Sequence, residues 1–237
     1  MSGLLDEATA AHGGAERWDA AGAVRVRQRA GGLLFALKGR RGRPAGIDGV
    51  VSTRELRTEL RDYPQPGLRG LVEPDGAVRI EDAQGRVRAY RAEPRPAFRD
   101  RRRLVRWDDL DQLYFIGATA LPNYALTPFW LRWPGVETEE LPGRRLLARF
   151  PSGMPVHSRE QVYWFGEDGL LTRLDYTAEV IGPWAKAAHF VTDYRTFDGF
   201  QVPTRRRVVP RPVGDHPLPG PTLVCIEVDN YALTTND

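Results

Sequence analysis

The sequence is short of the residues that most often carry covalent or metal chemistry. Cys225 is the single cysteine among 237 residues, so the chain forms no intrachain disulfide, no cysteine-based zinc site and no CxxC redox motif. Lysine is nearly missing as well, with Lys38 and Lys186 standing against 32 arginines, and there are only three asparagines. That vocabulary points to a GC-rich bacterial genome, and a net charge of +3 over this length is too small for a dedicated nucleic-acid surface. No stretch approaches the ~18 consecutive apolar residues of a membrane span, the longest candidate being broken by Pro122, Asn123 and Pro128. The start, Met1-Ser2-Gly3-Leu4-Leu5-Asp6-Glu7, lacks the basic residues and apolar run of a secretory signal, which together with the lone cysteine predicts a cytoplasmic protein. No GxGxxG follows a strand, and GxxxxGK[ST], HExxH and GxSxG are absent, which removes nucleotide, zinc-protease and serine-hydrolase readings in their common forms. The four histidines, His12, His157, His189 and His216, are too scattered for a local metal motif. Neither a metal nor a cofactor is expected.

What remains is ordinary globular composition, 41% hydrophobic and 27% charged, enough to bury a core. The chain reads as one β-rich domain over residues 1–237. Leu4, Leu5, Ala8 and Ala11 recur at helical spacing after Ser2, an N-cap candidate, and stop at Gly13-Gly14, so an N-terminal helix fills residues 1–22. From Ala23 the period falls to two, with Val24 and Val26 alternating with Arg25, Arg27 and Arg29 and the strand continuing through Leu33 to Leu37 after a bulge at Gly31-Gly32. Strands at Val51 to Leu60, Gly67 to Val72, Ala77 to Glu81 and Val87 to Ala92 complete a first meander over residues 23–100.

A helical insert occupies residues 104–134. Trp107, Leu110, Leu113, Tyr114 and Gly117 follow the 3.6 period, and Asp108 and Asp109 sit in the first turn, where carboxylates complement the helix dipole. Asp108, Asp109 and Asp111 also have the oxygens to hold a divalent ion, but a helix start explains them fully. The aromatic run Tyr124 to Leu131 is broken by prolines and reads as a short helix or buried loop. A second meander covers residues 144–237, with strands at Arg144 to Phe150, His157 to Phe165, Leu170 to Val180, His189 to Phe197, Gln201 to Val209 and Thr222 to Tyr231. Five prolines between Pro210 and Pro221 make a loop that cannot join a ladder.

An opening helix, a long meander, a central helical insert and a second meander resemble the half-barrel of the bacterial lipoprotein carriers and their relatives, the LolA/LolB and mycobacterial lipoprotein type. A local match accompanies this order. Asp193-Tyr194-Arg195-Thr196-Phe197-Asp198-Gly199-Phe200-Gln201-Val202-Pro203-Thr204 is similar to the segment where those proteins place a hairpin, with a tight turn at a D-G pair. The resemblance spans nearly the whole chain and implies a mainly β protein: a strongly curved antiparallel sheet, or half β-barrel, whose concave side is covered by helices and holds an acyl chain or another apolar ligand. Without a signal peptide or lipobox cysteine, the chain reads as a cytosolic relative.

Alternation in the second meander selects the candidate site residues. Glu160 shares the more apolar face of its strand with Trp164, where burial would raise its pKa toward the working range. Tyr176 points inward, and His157, His189 and Asp193 supply further acid–base groups. Tyr114, Tyr124, Phe129, Trp130, Trp133, Trp164 and Tyr194 are the candidate ligand-binding aromatics, several of them in the proline-broken insert, which suits a lid over an apolar pocket. The arginine triplets 101–103 and 205–207 read as solvated, since alternation splits each between two faces.

The sequence therefore predicts a protein that binds an apolar small molecule, of acyl, polyketide or terpenoid type. Its first reading is a cofactor-independent cyclase or isomerase of natural-product biosynthesis, and its second a non-catalytic carrier. A ligand-responsive interaction protein, with the Pro210 to Pro221 loop as its contact, is a third. Oligomeric state is not written in the sequence.

Overall fold

Period-two segments dominate the chain, and thirteen of them pair into one antiparallel sheet. The computed structural model describes residues 3–39, 46–212, 214 and 216–234. In chain order, α1 (Leu4–Ala11) and α2 (Ala15–Asp19) precede β1 (Ala23–Gly31), α3 (Leu33–Leu37), β2 (Ile47–Ser52), β3 (Thr58–Arg61), β4 (Leu68–Val72), β5 (Val78–Asp82) and β6 (Val87–Arg91). After α4 (Pro94–Ala97), a central helix begins as α5 (Asp109–Leu113), continues as a π-helix over Tyr114–Ala120 and ends as α6 (Leu121–Leu126). The second half supplies β7 (Glu137–Leu141), β8 (Arg145–Arg149), β9 (Glu160–Phe165), β10 (Leu171–Thr177), β11 (Lys186–Phe197), β12 (Phe200–Pro210) and β13 (Val224–Thr234).

Every strand lies beside its sequence neighbour except where β1 pairs with β13 and joins the two halves. The sheet is curved and unclosed, with β6 and β7 as its edges. Asp198 and Gly199 both have positive φ, 48° and 81°, the left-handed pair of a two-residue hairpin turn whose twist matches its strands. Phe197 and Phe200 close that hairpin.

Four local expectations are corrected. Leu33–Leu37 is a helix, because Gly32 (φ 122°) turns the chain out of β1 at a point where a Cβ would lie 2.4 Å from the Leu223 carbonyl oxygen. The bulge of β1 falls instead at Arg27/Gln28. Val51 to Leu60 is two strands, split by a turn that Ser52 Oγ caps by accepting from the Arg54 and Glu55 amides. The N-terminal segment is two helices separated at Gly13-Gly14, with Gly3 at the first N-cap position; Ser2 lies outside the described residues. The fourth is β7, which has no apolar alternation to announce it and is nearly all exposed, a charged edge of the kind that discourages strand addition.

The central helix lies on the concave face. Asp108 caps it reciprocally with Asp111, and Pro122, which has no N–H for the preceding turn, stands one residue beyond Leu121, the first residue after the seven π-helical ones. Glycine lets helix and sheet approach closely. A Cβ on Gly49 would meet Leu121 Cδ2 at 2.5 Å, and one on Gly70 would meet Leu113 Cδ1 at 2.7 Å and Tyr63 Cδ1 at 2.8 Å. Valine suits a strand, so Gly70→Val isolates this packing: it is expected to lower unfolding stability by about 2 kcal/mol through overpacking, read as an earlier urea midpoint. An unchanged midpoint would show that the helix does not rest on the sheet there.

Candidate functional site

Between the helix and the concave sheet lies a cavity of about 450 Å³. Its walls are apolar: Ala30, Leu34, Phe35 and Ile47 on one side, Phe115, Ile116, Ala120 and Leu121 from the central helix, and Val208, Val224 and Ile226 from β12 and β13. Its rim carries Leu37, Leu104 and Trp184, which are exposed at 58%, 48% and 70%, and Pro210 and Pro212 place the start of the proline-rich loop at the same rim. Both lysines of the chain line this space. Lys38 is buried, its Nζ donating to the Arg103 and Leu104 carbonyls at 3.1 and 2.7 Å beside the Trp107 ring, and burial lowers its pKa.

One wall is polar, and alternation with the helix turn builds it. Tyr176 points inward from β10, His189 from β11 and Arg206 from β12, while Tyr124 descends from α6 and His157 enters from the loop before β9. Tyr124 Oη lies 2.9 Å from His157 Nε2 and 3.0 Å from Tyr176 Oη. The His157 ring stacks on Tyr176 at 4.2 Å, and His189 stands perpendicular to Tyr124 at 4.5 Å. Tyr124 and Tyr176 line the cavity; the two histidines and Arg206 stand behind them.

Burial sets the charge state of this wall. It pushes His157 down to about 3, and His189 falls well below its ordinary value through burial, then Arg206, then His157. It pushes Tyr124 up to about 12 and Tyr176 well above its usual range. Both imidazoles and both phenols are therefore neutral near pH 7. Arg206 is the one cation: its guanidinium lies 5.3 Å from the Tyr124 ring centre and donates to the Tyr124 carbonyl at 2.8 Å. No carboxylate among the described residues pairs with it. The last turn of α6 is in fact capped by three side chains, Thr127 on Asn123, Arg206 on Tyr124 and Tyr231 on Ala125, satisfying carbonyls that a helix end leaves open.

Tyr124, Tyr176, His157 and His189 thus come together, and the other sequence candidates lie elsewhere. Glu160 is on the outer face, 67% exposed and paired with Arg149 at 3.2 Å, because the inward residues of β9 are Gln161, Tyr163 and Phe165. Trp164 shares that outer face, held between Arg145 and Arg173 with its Nε1–H on Asp175. Asp193 has φ 58°, which breaks the alternation of β11 and turns its side chain out to Arg205. Tyr194 consequently turns in, but its hydroxyl donates to the Leu171 carbonyl near His12, away from the cavity. Tyr114 packs on Phe98, Phe129 on Trp18, Trp130 on Phe150, and half-buried Trp133 on Trp130, all in the core outside the cavity lining.

Arg206 was the residue hidden in the sequence. Its triplet reads as solvated, yet Val202, Thr204, Arg206 and Val208 share the buried face of β12 while Arg205 and Arg207 are exposed, an alternation visible in the sequence itself. The network of Asn123 Nδ2 on Gln161 and Tyr163 Oη on Asn123, at 2.7 and 3.0 Å, was also unforeseen, because its members meet only across the fold. Among the described residues, no group of three His, Cys, Asp or Glu side chains is placed to hold a metal, and no helix is long and apolar enough to cross a membrane.

No protein-family model matches the chain, and no curated protein matches it. Solved structures do. A LolA superfamily protein from Nitrosomonas europaea superposes over 99% of this chain and 93% of its own length with a TM-score of 0.50 at 9% identity. A DUF1329 family protein from Desulfovibrio piger covers 97% of this chain and 91% of its own length with a TM-score of 0.47 at 13% identity. The fold is therefore LolA-like, a likeness of architecture.

Proposed function

We propose that the protein binds an apolar small molecule, of acyl, polyketide or terpenoid type, in the cavity between its sheet and its central helix. The observation that carries this reading is the cavity itself, about 450 Å³ with an almost wholly aliphatic and aromatic lining, inside the roughly 300–1,000 Å³ range of small-molecule sites. Burying apolar ligand surface there is favourable at about 25 cal/mol per Å². An exposed apolar rim gives such a ligand a continuous path from the surface.

Ala187 lines this cavity and pairs with Tyr176 across β10 and β11, so Ala187→Trp places an indole in the empty space. The neutral fluorophore N-phenyl-1-naphthylamine is expected to bind the wild-type protein at about micromolar Kd and Ala187→Trp at least about tenfold more weakly, with the far-UV circular dichroism unchanged. Equal binding by the two proteins, or none by the wild type, overturns the reading.

A second reading, that the bound molecule is transformed by a cofactor-independent isomerase or cyclase, is favoured by the Tyr124–Tyr176–His157 wall. A carrier needs only the apolar part of the cavity. Recovery of a co-purified ligand by native mass spectrometry, followed by its exposure to fresh protein in D₂O, separates them: deuterium uptake or a rearranged product marks chemistry, and an unchanged ligand marks carriage.

A further inference from the structure

The hydrogen bonds joining His157, Tyr124 and Tyr176 leave one proton over, and that proton identifies the polar group a ligand carries. We propose that the cavity selects apolar molecules bearing a carbonyl oxygen, a ketone, aldehyde or enone, which accepts a hydrogen bond from the Tyr124–Tyr176 phenol pair; this rests on the apolar-ligand reading above.

Proton counting shows what is left over. Tyr124 Oη makes two contacts, to His157 Nε2 and to Tyr176 Oη, and its one proton can serve only one of them. If it donated to His157, that imidazole would carry its N–H on Nδ1, a buried atom with no hydrogen-bond partner. In the reverse order His157 Nε2–H donates to Tyr124, and the group left over on the imidazole is only the Nδ1 lone pair. Buried acceptors without partners are tolerated far better than buried N–H donors, which assigns the tautomer. The two phenols then hold two protons for the single contact between them, so one phenol proton has no acceptor among the described residues, and whichever phenol donates, that proton sits on a side chain that lines the cavity.

The charge distribution agrees. Arg206, with no carboxylate beside it, lies against the Tyr124 ring on the side away from the cavity. Its field favours electron density on the two phenol oxygens, which stabilises negative charge drawn toward them from a polarised carbonyl. A carbonyl brings an acceptor and no proton. A ligand hydroxyl would bring a further proton to two phenols that already hold one more than their contact uses.

The test uses 2-acetylnaphthalene and 2-isopropenylnaphthalene, which share a shape and differ in C=O against C=CH₂. Wild-type protein is expected to bind the ketone at least as tightly as the alkene, although the ketone loses more hydration. Tyr124→Phe/Tyr176→Phe, which keeps both rings and removes both hydroxyls, is expected to weaken the ketone about tenfold and leave the alkene unchanged. An infrared spectrum of the ketone on wild-type protein provides a readout independent of the variant, its carbonyl band falling below the band measured in hexane. If neither probe binds, the apolar-ligand reading itself fails. If both bind but the carbonyl band matches hexane, or the double variant weakens both equally, the carbonyl proposal fails while apolar binding stands. Tighter binding of 2-naphthoate than of the ketone would also overturn it, in favour of a carboxylate held by the cavity lysines.

Discussion

Lowering the pH from 7 toward about 4.5 is expected to unfold the protein, in a transition that three buried histidines dominate. His12 is held down to about 4, chiefly by burial, with its Nδ1 contact to the Ala8 carbonyl opposing. His157 is held down to about 3 by burial and then Arg95, and His189 lies well below the ordinary value. In the unfolded chain each titrates near 6.5. Below that pH the unfolded state binds protons that the native state refuses, so stability is fully present above about 6.5 and falls with falling pH until the folded values are reached. One group contributes about 1.4 kcal/mol per pH unit and three about 4. Two units of acidification therefore remove about 8 kcal/mol, comparable with the whole stability of a typical domain. Carboxylates held low by arginine partners, Asp48 beside Arg25 and Asp108 beside Arg91 among them, lose their stabilising contribution only below the normal carboxylate range and so act later. Tryptophan fluorescence against pH measures the midpoint. His189→Leu removes one titrating group whose two ring nitrogens lack hydrogen-bond partners, and is expected to flatten the transition by about a third and move its midpoint down by about one pH unit. A native-like His189→Leu protein with an unmoved midpoint would contradict this account.

The same histidines show where sequence reasoning reached and where it stopped. Period-two alternation located most strands, the Asp108 start of the central helix and the Asp198-Gly199 hairpin, because each depends on residues adjacent in the chain. The curved sheet came from the resemblance of their order to the lipoprotein-carrier half-barrel. Which face of a strand points inward was read from apolar content, and that failed for β9, where Trp164 is satisfied outside by Arg145, Arg173 and Asp175. In β11 a positive φ at Asp193 interrupts the alternation locally, so Tyr194 turns inward in place of Asp193. Alternation presumes regular backbone, and a single left-handed residue defeats it. The strand-like run Leu33–Leu37 failed for a related reason: its apolar residues suit either structure, and the close approach of Gly32 to Leu223 decided the matter from 190 residues away.

The polar wall was half legible. Tyr176 was read as inward and His157 and His189 as acid–base candidates, and Tyr124 as an aromatic of the insert, but nothing local brings them to one place. Their meeting depends on the central helix ending over β10 to β12, where Arg206 caps the Tyr124 carbonyl. One arginine thus links the architecture to the site. It caps a helix terminus, where a cation is favourable, and it sets the electrostatics behind both phenols.

At the other end of the same helix, Asp111→Ala is expected to lower Tm by about 6–12 °C. Asp111 is fully buried. Its carboxylate meets Arg91 Nη1 at 2.6 Å and Arg103 Nε at 2.8 Å, and accepts from the Asp108 amide at 2.9 Å. Asp108 returns a cap to the Asp111 amide and reaches the same two arginines. Removing Asp111 therefore leaves two guanidinium groups short of their buried partner and opens the helix N-terminus. Breaking a buried ion pair from one side costs about 3–5 kcal/mol, and since both arginine side chains are 21% exposed, water recovers part of that and places the effect near about 3 kcal/mol. At about 2–4 °C per kcal/mol for a chain of this size, that gives the shift above. Asp111→Asn keeps an acceptor for the Asp108 amide and loses the charge, so an intermediate shift is expected. A fall below about 3 °C for Asp111→Ala would place this network among surface ion pairs of little weight.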